Sequence, residues 1–136
     1  MSRRKGFRAD GGQGLVEYAV VLPVLFLLIL GIMEFAVVLF SYESLTNAAR
    51  EGARAGILPY ATGEQRQTAA LSAAIGRAEP LTLTEENFVM PMWNPVAKIM
   101  RVEIVYDVHL MTATIIRAVG GNPVISLHTS ATMRSE

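Results

Sequence analysis

A glycine followed five residues later by a carboxylate, both at the threshold of a long apolar run, is the arrangement in this chain best suited to chemistry. Gly12-Gln13-Gly14-Leu15-Val16-Glu17-Tyr18 follows a short basic start and leads into apolar residues from Ala19 onward. It reads as a glycine-ended leader joined to a membrane helix with an acidic residue near its entry. Glycine lets a backbone enter a narrow cleft in an extended shape. A carboxylate close to lipid is expensive unless it is paired, so Glu17 calls for a cationic partner. The alternative is plainer: Gly11, Gly12 and Gly14 form a flexible lead-in, and Glu17 rests at the membrane interface.

The other chemistry-bearing residues are sparse. His109 and His128 are the only histidines, and there is no cysteine. Disulfides, thiol chemistry and cysteine metal sites are therefore excluded, and acidic partners for a histidine metal site are not evident. No serine sits in a glycine-flanked nucleophile elbow. Gly11-Gly12-Gln13-Gly14 lacks the preceding strand and the Lys-Ser/Thr of a phosphate-binding loop. No catalytic, cofactor-binding or metal residue is assigned, and no small-molecule substrate is expected. The formal net charge is zero, which leaves no whole-chain footprint for nucleic acid.

The element that must carry Glu17 is a membrane helix. Tyr18 to Met33 is sixteen residues without a charge, and Leu15 to Phe40 is interrupted only by Glu17, Tyr18, Pro23, Gly31 and Glu34. A helix needs about 20 apolar residues to cross a hydrocarbon layer of about 30 Å. Glu17 and Glu34 are 17 residues apart, or about 25 Å along a helix, so each can sit near one edge of that layer. Glu34 thus marks the outer edge or partners a buried basic group. Arg3, Arg4, Lys5 and Arg8 precede the span, opposed only by Asp10. The positive-inside bias keeps that end cytoplasmic and the C-terminal part outside. The run is too long for an ordinary secretory signal, and no small-x-small site follows it closely. Ser2-Arg3-Arg4 hints at a twin-arginine signal, but the residues after it fit poorly.

The helix continues past the membrane. Phe35, Val38, Tyr42, Leu45, Ala49, Gly52 and Gly56 step by alternating three and four, which is one helical face. Glu43, Asn47, Arg50, Glu51 and Arg54 fall off it. One helix is therefore expected from about residue 14 to about 57, ending before Pro59. Thr62 with Gln65 is a capping-box pattern that starts a second helix to about Ala78. Thr68, Leu71, Ile75 and Ala78 form its expected buried stripe. The period then changes to two, and Val102, Ile104, Tyr106, Val108 and Leu110 alternate along the clearest strand. A weaker strand is expected from Asn87 to Met92, and a short helix or loop over 112–119. The Gly120-Gly121-Asn122-Pro123 turn precedes a strand from Val124 to Met133, with Ile125, Leu127, Ala131 and Met133 on one face.

The outer part is thus a small α+β domain of about 80 residues, a size that buries little surface by itself. Docking its sheet on the amphipathic half of the first helix would complete the core. Gly52 and Gly56, four apart beside Ala49 and Ala53, allow close helix approach, either to another subunit or under the chain's own sheet. Pro23 removes a backbone donor near Ala19 and is either a bend that helps helices pack or a proline the membrane tolerates. Trp93, between Pro91 and Pro95, caps the core or offers a binding surface.

Gly12 with Glu17 and Tyr18 resembles the processing site of Flp-type (Tad) prepilins. Asn47-Ala48-Ala49-Arg50-Glu51-Gly52-Ala53-Arg54 resembles the equivalent stretch of TadE-like proteins, as do the Leu22-Pro23 step and the Ser/Thr-rich tail ending in Glu136. The resemblance is firmest over residues 12–56 and loose beyond. It implies cleavage between Gly12 and Gln13 by a prepilin peptidase on the cytoplasmic side. The freed amine of Gln13 would then pair with Glu17 of a neighbouring subunit.

The resulting expectation is a pilin-like α+β chain. It has a basic leader over 1–12, a long helix over 13–57 spanning the membrane over about 15–40, and an extracytoplasmic domain over 58–136. Its implied work is that of a minor pseudopilin-type subunit in a Flp/Tad-type pilus or related secretion apparatus of the cytoplasmic membrane. Gly12, Gln13, Glu17, Tyr18, Pro23, Gly52 and Gly56 are the residues of interest. Membrane lipid, prepilin peptidase and other pilins, pseudopilins or assembly proteins are the expected partners. Two other readings remain: an uncleaved, membrane-anchored binding module, and an adhesive subunit of the fibre itself.

Overall fold

The computed structural model describes residues 10–59, 62–90 and 92–135. The basic cluster Arg3, Arg4, Lys5 and Arg8 lies outside the described residues, as do Tyr60, Ala61, Pro91 and Glu136. The first element, α1, is one helix over Asp10–Gly56 that continues through Pro23. Its lower half stands clear of the rest of the chain. None of its most apolar 18-residue window is buried, and by length and composition it is a candidate membrane span. A single proline interrupts one hydrogen bond of the ladder, and the apolar run on either side keeps the helix intact in a low-dielectric setting.

The upper half of α1 is the spine of the outer domain. From Ser41 upward the buried positions are Leu45, Ala48, Ala49, Gly52, Ala53 and Gly56. Phe35 and Tyr42, expected on this face, are exposed, because the domain covers a line turned slightly to one side, through Glu34, Val38, Ser41 and Leu45. Against the stripe lies α2, Gly63–Arg77. The expected capping box is present: Gln65 N–H donates to Thr62 Oγ1, and Thr62 N–H donates to Gln65 Oε1. The buried line of α2 is Ala70, Ala74 and Ala78, with Leu71 and Ile75 half-buried. Thr68 is exposed, and its hydroxyl donates back to the Glu64 carbonyl. The inward line turns away from the expected stripe because a helix lying on Gly52 must present alanines.

Three antiparallel strands follow, β1 (Trp93–Asn94), β2 (Ile99–His109) and β3 (Val124–Arg134), in the order β1-β2-β3. The β2–β3 register pairs Met100 with Met133, Ile104 with Thr129 and Val108 with Ile125. Alternation along β2 sends Met100, Val102, Ile104 and Val108 inward. On β3, Leu127, Thr129, Ala131 and Met133 share the inner face, and Ile125 is exposed at its end. A short helix, α3 (Ala113–Ala118), lies in the β2–β3 connection, and Gly120 follows it with a positive φ of 80°.

The expected strand over 87–92 is not formed. A single 3-10 turn occupies Glu85–Asn87, tied by Asn87 Oδ1 accepting from Thr84. Phe88 then makes one isolated bridge to Ile104, and regular pairing is confined to Trp93–Asn94.

Candidate functional site

The long helix meets the domain along a line of matched positions. A Cβ at Gly56 would lie 2.5 Å from the end of the Met100 side chain. One at Gly52 would lie 2.8 Å from the Ala70 carbonyl oxygen, 2.9 Å from Ala74 Cβ and 3.5 Å from Val102. One side of the helix therefore needs glycine where α2 crosses and the first residues of β2 pack. Lower down, the Thr46 and Thr129 hydroxyls lie 3.2 Å apart. Lowest, Thr112 N–H donates to the Glu34 carboxylate. Gly56, Gly52, Thr46 and Glu34 thus meet Met100, Val102, Thr129 and Thr112 in descending order. The β2–β3 hairpin runs down α1 and ends at Glu34.

Gly52 and Gly56 are accordingly buried within the chain, against its own α2 and β2. Glu34 is half-buried and engaged with the domain. Below it the helix is bare. Gly12, Gln13, Glu17 and Tyr18 are all exposed in α1, Tyr18 by 74 %. Gln13 and Glu17 are one helical turn apart and share a face. Glu17 has no ion pair or hydrogen bond among the described residues. Pro23 lies in the same free stretch. Glu17 and Glu34 are therefore unlike in environment: one carboxylate is held by a backbone amide, and the other is open at the far end of about 25 Å of apolar helix.

His109 and His128 are exposed on the sheet, and the described residues hold no cluster of three metal-ligating side chains. Trp93 is half-buried on the rim of the core. Arg66 of α2 stacks over its ring at 4.5 Å and also donates to the Gly56 carbonyl. Sequence reasoning did not find this pair, nor the Glu34–Thr112 bond. Both join residues far apart in sequence through contacts that no local pattern encodes.

Residues 12–54 match the family model described as TadE-like protein. The match opens at Gly12 and closes at Arg54, so it contains the glycine–glutamate spacing, the apolar span and the Asn47–Arg54 stretch. No curated protein and no solved structure matches the chain. Residues 12–54, the stretch from Gly12 into the upper half of α1, are thus what this chain shares with TadE-like proteins.

Proposed function

We propose that this chain is a membrane-inserted, pseudopilin-type subunit that acts in assembling a Flp/Tad-type pilus or a related secretion apparatus. The observation that carries the reading is Glu17. It is an open carboxylate at the entry of a bare apolar helix, five residues after the glycine at which the TadE-like match begins. In lipid such a group is stabilised by a cation supplied from outside its own helix.

Processing by a prepilin peptidase supplies that cation. Water adds to the Gly12 carbonyl carbon, the peptide bond to Gln13 breaks, and Gln13 leaves with a protonated α-amine. Gly11, Gly12 and Gly14 ease the step, because each glycine weakens a helix by about 1 kcal/mol relative to alanine. The new amine then pairs with Glu17 of a neighbouring subunit and sets the helix register. The basic leader keeps this end cytoplasmic, and the α+β domain stands on the opposite side. The work is mechanical: lateral packing of helices and presentation of the outer domain.

The test is the mass and N-terminal sequence of the protein purified from its native membrane. A start at Gln13 supports the assembly reading. An intact start at Met1 or Ser2 overturns it in favour of a tethered binding module, in which Glu17 is an interfacial residue with no special task.

A further inference from the structure

The apolar surface of this molecule does not end with the helix. Leu15 to Met33 supplies 19 residues, about 28 Å of helix, which nearly fills a hydrocarbon layer of about 30 Å. Glu34 follows, and Thr112 is bonded to it. The β2–β3 tip, residues 110–123, is therefore held at the level where the layer ends. Just beyond Glu34 the helix still exposes Phe35, Leu39 and Phe40. On the tip, Met111, Ile115 and Val119 are spaced by four residues, before, within and just after α3. They are 68, 48 and 80 % exposed. Arg117, also exposed, is two residues from Ile115 and lies on another side of α3.

Looseness of the loop does not account for this exposure. Leu110 N–H donates to the Pro123 carbonyl and closes the base of the tip. Gly120 and Gly121 donate to the Arg117 and Ile116 carbonyls and close its far side. A Cβ on Gly121 would lie 2.7 Å from the Ile116 side chain, so the turn is packed onto the helix. A hydrogen-bonded element thus exposes apolar side chains, and the Glu34–Thr112 bond holds it at the level where α1 also exposes Phe35, Leu39 and Phe40. The opposite end of the sheet offers a contrast. Val96 there is 94 % exposed but stands alone, and isolated apolar residues on a surface are ordinary.

We propose that this tip is a second membrane contact. Met111, Ile115 and Val119 enter the interfacial layer of a phospholipid bilayer beside the span, at a depth fixed by the Glu34–Thr112 bond. Arg117, on another side of α3, is long enough to reach lipid phosphates, as basic side chains do at such boundaries. The inference rests on reading α1 as a membrane span. Its consequence is orientational: the domain does not swing on a single helix, but stands on two feet with its sheet upright on the bilayer.

The native chain has no cysteine, so a nitroxide can be placed at one introduced cysteine at a time. The full chain, reconstituted in nanodiscs of phosphatidylcholine and phosphatidylglycerol, would carry the label at Leu27, Val96, Ile115 or Val119. Collision with oxygen, which concentrates in lipid, is compared with collision with a water-soluble nickel chelate. The expected oxygen-to-nickel ratio at Ile115 and Val119 is several-fold above that at Val96 and approaches that at Leu27. A ratio like that of Val96, with Leu27 still lipid-like, overturns the tip contact and leaves the span standing. Low collision with both reagents at Ile115 and Val119 overturns it in favour of burial against a second copy. An aqueous Leu27 removes the span itself, and the proposal with it.

Discussion

The Glu34 carboxylate, half-buried on α1, accepts the backbone N–H of Thr112 at the entrance to α3, a contact between residues 78 apart in sequence. Among the described residues it is the lowest hydrogen bond between the helix and the domain. Hydrogen bonds to charged groups contribute about 1.5–3 kcal/mol, and partial exposure puts this one at the low end. Glu34→Ala should therefore loosen the tip while the rest of the sheet stays closed. Amide hydrogen exchange over 110–118 should accelerate by about tenfold, the equivalent of about 1.4 kcal/mol, with no change over 99–105. Glu34→Gln keeps a carbonyl acceptor and should show the smaller effect.

The glycines of α1 should separate by what surrounds them. At Gly52 an added methyl meets backbone and another helix's Cβ at 2.8 and 2.9 Å, and neither can move without shifting α2. Overpacking of this kind costs about 1–3 kcal/mol and exceeds the gain of about 1 kcal/mol in helix propensity. Gly52→Ala should lower the thermal midpoint of the outer domain by several degrees. At Gly56 the nearest atoms all belong to the Met100 side chain, a flexible one that can re-pack though it is buried, so Gly56→Ala should cost less than Gly52→Ala. At Gly31 nothing lies within 4 Å, and Gly31→Ala should leave the midpoint unchanged or raise it. Circular dichroism melts of the three variants in one detergent give the order directly.

These glycines also mark where the sequence was legible. The long helix, the capping box at Thr62 and the alternation of β2 and β3 are written in local periodicity, which a single helix or strand enforces by itself. Phe35, Tyr42 and Thr68 were misplaced because a helical face is continuous in sequence, whereas the domain covers only part of it. Phe35 and Tyr42 lie beside the covered line, which runs through Glu34, Val38, Ser41 and Leu45, and Thr68 lies outside the line that Gly52 admits. The strand expected at 87–92 failed for a related reason: its apolar residues satisfy a strand pattern, but Thr84 and Asn87 close a turn first. Of the stretch that matches the TadE-like model, the Gly12-to-Glu17 spacing and the Asn47–Arg54 segment are legible in the sequence. The Glu34–Thr112 tie is not, since a backbone amide leaves no signature in side-chain type.

Arg66 joins two elements that otherwise touch lightly. Its guanidinium stacks over Trp93 at 4.5 Å, and the same group donates to the Gly56 carbonyl at the end of α1. The stacking contributes about 0.5–1 kcal/mol at a partly exposed site, and the hydrogen bond about 1 kcal/mol. Arg66→Ala should destabilise the domain by about 1–2 kcal/mol by these two terms. Trp93 is the only tryptophan, so its fluorescence reports the contact without ambiguity. The emission should shift to longer wavelength as water replaces the guanidinium. Arg66→Lys keeps the charge but loses the planar stack, and should recover less than half of the loss.

Glu17 distinguishes assembly from tethering most sharply, because it is far from everything that folds the outer domain. Glu17→Gln removes a charge from an exposed position on a bare helix, so the domain's melting curve should be unchanged and membrane insertion no worse. If Glu17 pairs with the processed amine of a neighbour, the intact subunit meets an unpaired cation near lipid. Breaking one partner of such a pair costs about 3–5 kcal/mol, which at 1.4 kcal/mol per tenfold is a loss of about two orders of magnitude or more in association. Filaments or cross-linked oligomers should then vanish from cells that still contain normal amounts of the variant, cleaved normally after Gly12. Asp at the same position retains the charge on a shorter arm and should restore part of the assembly. Normal assembly by Glu17→Gln would remove the pairing mechanism and leave the helix as an anchor alone.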